Sequence, residues 1–111
     1  MQIDEFDQGD SRVLEPKGRI DRTTSVTFGE RLSELIASDV RRIVIDFSSI
    51  VYLSSAGLRV LLLAKKQSEK DGDWLVLCGL SEDVGRVFEI AGFDKLFPIY
   101  ATREEGVRHL A

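Results

Sequence analysis

The fold is read most directly from residues 44–67, VIDFSSIVYLSSAGLRVLLLAKKQ. The stretch opens on a short, β-branched apolar run, crosses small polar residues and a glycine, and ends in a leucine-rich segment with helical spacing. Arg42 to Phe47 (RIVIDF) predicts a buried central strand, since both faces are apolar and the run is too short for a helix. SSIVYL then reads as a loop, and a helix is expected from about Ser55 to Glu69, with Leu58, Leu61, Leu62 and Lys65 on one stripe. Gly72 stands where a left-handed cap would end that helix.

Working outward, Ile3 and Phe6 suit a short edge strand. Arg12 to Ile20 reads as a strand interrupted by a bulge or turn at PKG. A first helix is expected over 24–37, with Thr23 or Thr24 as its N-cap and Val26, Phe28, Leu32, Leu35 and Ile36 as its apolar residues. Trp74 to Cys78 is a second buried strand. Ser81 is then placed to cap a helix carrying Val84, Val87, Phe88 and Ile90, which Gly92 closes. Leu96 to Ile99 predicts a last strand, and Thr102 or Arg103 opens a final helix reaching about Leu110. Strands alternating with helices imply an α/β fold. Helical crossovers make strands 42–47, 74–78 and 96–99 parallel, whereas the first two strands form an antiparallel hairpin. The expectation is one domain over 1–111, with a mixed sheet of four to five strands and about four helices.

Composition narrows the function. Fifteen basic and nineteen acidic residues in 111 give a net charge of −4, so no basic face for nucleic acid is expected. The longest apolar stretch, Val60 to Ala64, is far below membrane-spanning length, and the acidic start MQIDEFDQGD is not a signal peptide. With one cysteine, Cys78, no intramolecular disulfide can form, which suits a cytoplasmic protein. No phosphate-binding loop of the Gly-x-x-x-x-Gly-Lys type is present. SSAG is not the Gly-x-Ser-x-Gly elbow of a serine hydrolase, and the lone histidine, His109, lies near the C-terminal end as a surface residue. No catalytic residue, metal or cofactor is expected, and a carboxylate pair of Asp21 and Asp46 reads as turn caps rather than metal ligands.

Ser54 and Ser55 stand at the start of a helix, where free N–H groups and a partial positive charge collect. A hydroxyl there can cap the helix or carry a phosphate beside apolar Val51, Tyr52 and Leu53. Gly57 in the first turn is costly in a helix and suggests close approach of another backbone. Periodicity alone leaves cap and switch both open.

The same stretch closely resembles the signature of the STAS domain, and specifically of bacterial anti-sigma factor antagonists. That signature is an apolar strand, Asp-x-Ser, five residues, then Asp-Ser-Ser-Gly-Leu opening a helix. Asp46, Ser48, Ser55, Gly57 and Leu58 match it without insertion. GRID (Gly18 to Asp21) resembles the family's first turn, and residues 84–100 resemble its closing helix and strand. The resemblance implies a binding module rather than an enzyme. Ser55 would be the phosphoacceptor, with Ser54 the second candidate. An anti-sigma factor that is also a serine kinase would phosphorylate it, and a serine phosphatase would reverse the step. The unphosphorylated form would bind the anti-sigma factor and release a sigma factor. The implied partner surface comprises Asp21, Thr23, Val51, Tyr52, Leu53, Ser54, Ala56, Gly57 and Arg59 on a monomer. Two departures stand out: Ser54 replaces the family's acid, and Ala56 replaces the following serine. The alternative is a non-phosphorylated STAS scaffold or regulatory subunit of a signalling or transport complex.

Overall fold

The computed structural model describes residues 1–71 and 74–110. The chain runs β1 (Ile3–Gln8), β2 (Ser11–Pro16), β3 (Gly18–Ile20), α1 (Thr24–Ala37), β4 (Arg42–Asp46), β5 (Ile50–Leu53), α2 (Ser55–Asp71), β6 (Trp74–Cys78), α3 (Glu82–Ala91), a single 3₁₀ turn (Phe93–Lys95), β7 (Ile99–Tyr100) and α4 (Arg103–Leu110). Five strands form one mixed sheet in the order β1-β2-β4-β6-β7. As expected, β1 and β2 make an antiparallel hairpin and β4, β6 and β7 are parallel; the structure adds that β2 pairs in parallel with β4.

Alternation along the central strands sorts their side chains between two layers. Ile43, Ile45, Leu75 and Leu77 join the larger core with Phe28, Leu32, Leu61, Val84 and Phe88, so α1, α2 and α3 cover this face. Val44, Val76 and Cys78 face the other way, toward Val107 and Leu110 of α4. The larger core contains a chain of edge-packed rings: Phe28, Phe47 and Phe88 have centroids 6.4 and 6.2 Å apart. All three are fully buried.

Four sequence expectations change. The segment 48–53 is not all loop, because Ile50–Leu53 forms β5 and pairs in parallel with β3 in a separate two-stranded ribbon. Its burial order is in-out-out-in, which breaks the period of two that marks a strand. PKG does not merely bulge one strand: it separates β2 from β3, which belong to different sheets. The last strand is Ile99–Tyr100 rather than Leu96–Ile99, because the 3₁₀ turn occupies Phe93–Lys95 and sends Phe97 into the core. Val26 of α1 and Ile90 of α3, read as apolar-face residues, are 59% and 82% exposed. Gly72 lies outside the described residues. By contrast, Ser81 accepts from the Val84 amide, and Gly92 closes α3 in a left-handed conformation, both as expected.

Because Phe47 links the rings of α1 and α3, Phe47→Ala is expected to cost about 3–5 kcal/mol, the range for emptying a buried aromatic site, measured by urea unfolding.

Candidate functional site

The β3–β5 ribbon brings together two segments more than thirty residues apart. Gly18, Arg19 and Ile20 stand opposite Ile50, Tyr52 and Leu53. The Ser54 amide continues the pairing by donating to the Ile20 carbonyl at 2.9 Å. The turn after β3 leads into α1 and the turn after β5 leads into α2, so the two helix tips lie side by side. The Arg19 guanidinium covers the Tyr52 ring, 4.3 Å from its centroid, and ties the ribbon's outer face. Arg19 lies within the GRID turn, but only the strand register places it over Tyr52.

Each tip has its own cap. At α1, Thr23 stands at the N-cap position, but its side chain caps nothing. Asp21 does that work instead: Oδ1 accepts from the Thr23 and Thr24 amides, each at 2.9 Å. Thr24 Oγ1 donates to the Arg19 carbonyl at 2.7 Å and accepts from the Asp21 amide. The Thr24 amide foremost, then the Thr24 hydroxyl and the Thr23 amide, hold the Asp21 carboxyl below the usual aspartate range. At α2, Ser54 Oγ accepts from the Gly57 amide at 3.3 Å and is the cap. Ser55 is therefore the first helical residue. It is exposed, and its hydroxyl has no hydrogen-bond partner among the described residues. No acidic residue occupies the first turn of α2.

Around Ser55 the surface is largely apolar. Val51 is 72% exposed and Tyr52 41%, on the outward side of β5. Arg59, one turn further along α2, is exposed, and Ala56 is half-buried. Leu53 and Gly57, expected within a partner-binding surface, are buried and shape it from beneath. A Cβ on Gly57 would lie 2.5 Å from Leu53 Cδ1 and 2.8 Å from Ile20 Cγ2. The close approach is thus made by side chains of the ribbon, rather than by another backbone. Only a residue without a Cβ lets the ribbon seat against the first turn of α2.

Asp46 lies behind this surface. It is buried at the end of β4, and its Oδ1 accepts from the Ser48 amide at 2.9 Å. Oδ2 sits 3.6 Å from Arg103 Nε of α4. Arg103 also approaches Glu15 and lies over the Phe6 ring at 4.9 Å, while Ser49 Oγ donates to Glu15 at 2.6 Å. The turn leading into β5 is thereby tied to β2 and to α4. Gly79 permits the arrangement, since its φ is +70° and a Cβ there would meet Asp46 Oδ1 at 2.6 Å. Asp21 and Asp46 are each used in their own turn, and no cluster of three potential metal ligands occurs among the described residues. Cys78 is buried beside Asp46, and burial first, then the carboxylate, pushes its thiol up to about 12. His109 is exposed and lies against the Tyr100 ring at 5.0 Å. Among the described residues, no helix is long and apolar enough to cross a membrane.

Residues 3–106 match the model of the STAS domain family. BtrV of Bordetella bronchiseptica, provisionally named an anti-sigma factor antagonist, is 46% identical over 79 residues, covering 68% of each chain. An anti-sigma factor antagonist from Mycobacterium paratuberculosis superposes with a TM-score of 0.89 at 23% identity, covering 97% of this chain and 92% of that one. The anti-sigma factor antagonist SpoIIAA superposes in its unphosphorylated form at 0.84 and in its phosphorylated form at 0.77, with 20% and 18% identity. Those alignments cover 98% and 99% of this chain and 96% and 100% of SpoIIAA.

Two substitutions probe the tips. Gly57→Ala should lower stability by about 1–3 kcal/mol through overpacking against Ile20 and Leu53, read by urea unfolding. Asp21 has a lowered folded-state pKa, so its stabilisation is present above the unfolded-state value and lost as pH falls through the lowered one. Asp21→Ala should therefore be less stable than wild type at neutral pH. The gap between their melting temperatures should narrow steadily on acidification below the usual aspartate range.

Proposed function

The chain belongs to the STAS domain family, and on that premise we propose that it is an anti-sigma factor antagonist switched by phosphorylation of Ser55. In its unphosphorylated form it binds an anti-sigma factor that is also a serine kinase, and so frees a sigma factor. A serine phosphatase restores the binding form. It works in the cytoplasm, as a binding module rather than an enzyme. The observation that carries this reading is the joining of the two helix tips by the β3–β5 ribbon, with Ser55 exposed between Val51, Tyr52 and Arg59.

The physics of the switch follows from that placement. A phosphate on the first residue of α2 meets free amides and the positive end of the helix, so the domain tolerates it. It adds about −1.5 to −2 charges to a surface whose exposed apolar residues, Val51 and Tyr52, would otherwise be covered by the partner. Desolvating a phosphate against an apolar partner face is costly, and binding is lost. Ser54 is less suited as acceptor, because its Oγ already holds the Gly57 amide. That SpoIIAA, a protein of this fold, has been solved both with and without phosphate supports the assignment. Asp21, Thr23, Ser54, Ala56 and Arg59 would line the contact, and Arg59 would pair with an acidic residue of the partner.

Mass spectrometry after incubation with the purified anti-sigma factor kinase and ATP should place one phosphate on Ser55. Ser55→Ala should abolish it, while Ser54→Ala should retain it. Ser55→Glu should weaken binding to the same anti-sigma factor at least tenfold. The absence of Ser54's acid counterpart favours one competing reading, a scaffold that is never phosphorylated. Unmodified Ser55, together with unchanged binding by Ser55→Ala and Ser55→Glu, would establish that reading instead.

A further inference from the structure

We propose that the groove between α1 and α2 receives an amphipathic helix of the anti-sigma factor, which extends the contact from the helix tips down both helices. The proposal rests on the antagonist reading above and adds the second half of the footprint. α1 and α2 run side by side, and they pack so closely at Gly29 that a Cβ there would stand 3.2 Å from Val60 Cγ2. This close packing forms a floor of Gly29, Val60 and Ala64 beneath a cavity of about 260 Å³. Val26 and Leu63 stand on its two rims, 59% and 54% exposed.

Three features select the occupant. First, the groove begins at the tips: Ser25 and Val26 directly follow the turn capped by Asp21, and Val60 follows Arg59. Second, its far end is closed, because Ser33 Oγ donates to Gln67 Oε1 at 3.2 Å and Gln67 Nε2 donates to the Ser33 carbonyl at 3.3 Å. Between Val60 and Gln67 lie two helical turns, about 10 Å, which matches two turns of a docked helix rather than a long one. Third, the rims differ in charge. Arg59 and Lys66 flank Leu63 on the outer shoulder of α2, both exposed and neither paired with an acid among the described residues, whereas Glu30 lies on α1. Opposite rims of opposite charge set the direction of the occupant: an apolar stripe into the groove, with its acidic flank toward α2.

Isothermal titration of the full chain with the purified anti-sigma factor kinase tests this. Leu63→Asp and Val26→Asp should each weaken binding at least tenfold, whereas Ile90→Asp, at a still more exposed apolar position on α3, should bind as wild type. All three positions are on the surface, and unchanged thermal melts would verify folding. Lys66→Glu should weaken binding several-fold, with the difference shrinking at high salt. Wild-type affinity in both Leu63→Asp and Val26→Asp, with Ser55→Glu still impaired, would overturn the groove while leaving the antagonist reading standing. No binding by the wild-type chain would overturn both. A concentration-dependent dimer of the chain alone, abolished by Leu63→Asp in sedimentation equilibrium, would assign the groove to a second copy and also overturn the proposal.

Discussion

Gly57 admits the side chains of Ile20 and Leu53 against the first turn of α2, and the candidate surface depends on that contact. With a Cβ at position 57, the Leu53 and Ile20 side chains must shift, or the ribbon and α2 must move apart. The ribbon fixes where the chain leaves β3 and β5, and hence where α1 and α2 begin. Seating of the ribbon on α2 at Gly57 and of α1 on α2 at Gly29 holds the two helices side by side. A glycine in a helix costs conformational stability. At Gly57 the cost is offset by close packing against Ile20 and Leu53, whereas at Gly29 a Cβ would require Val60 to give by a few tenths of an ångström.

A second layer of constraint lies beneath the tips. Asp46 organises the turn after β4 through the Ser48 amide, and Arg103 brings α4 against the same carboxylate. Ser49 binds Glu15 of β2, so the short segment between β4 and β5 is held from both sides. The segment ending at Ser55 is thus tied to the sheet as well as to the ribbon. An exposed hydroxyl on a fixed backbone fits the phosphoacceptor role proposed for Ser55. The same ties keep Val51 and Tyr52 facing outward.

The two serines at the head of α2 illustrate how position separates roles that composition cannot. Ser54 accepts the Gly57 amide and is held as a cap. Ser55, one residue later, is carried round the helix to the solvent side. Where the family has an acid, this chain has a hydroxyl that supplies the cap without adding negative charge. Arg59 and Lys66 continue along the exposed side of α2, so the surface around Ser55 is apolar with a basic shoulder. Such a surface suits the proposed acidic, apolar partner, and a phosphate on Ser55 would alter it directly.

Strongly periodic or terminal signals were legible in the residues themselves. RIVIDF and WLVLC announce buried parallel strands because both faces are apolar. Thr24–Ala37 and the Ser81-to-Gly92 helix are bounded by local chemistry, and the Asp46-to-Leu58 spacing carries the family. Thr23 does hold the N-cap position of α1, but the side chain that bonds the first amides is Asp21, which acts from outside the helix through a turn. β5 was hidden because it pairs only with the three-residue β3, in a ribbon separate from the main sheet, and a two-stranded ribbon imposes no alternating burial. The tertiary structure alone decided that Leu53 and Gly57 are interior, that Arg19 covers Tyr52, and that Arg103 reaches Asp46. Sequence determines periodicity and local hydrogen bonding, which act over a few residues. Which side chains of distant segments share one surface is set by strand register and helix seating, and these exist only once the chain has folded.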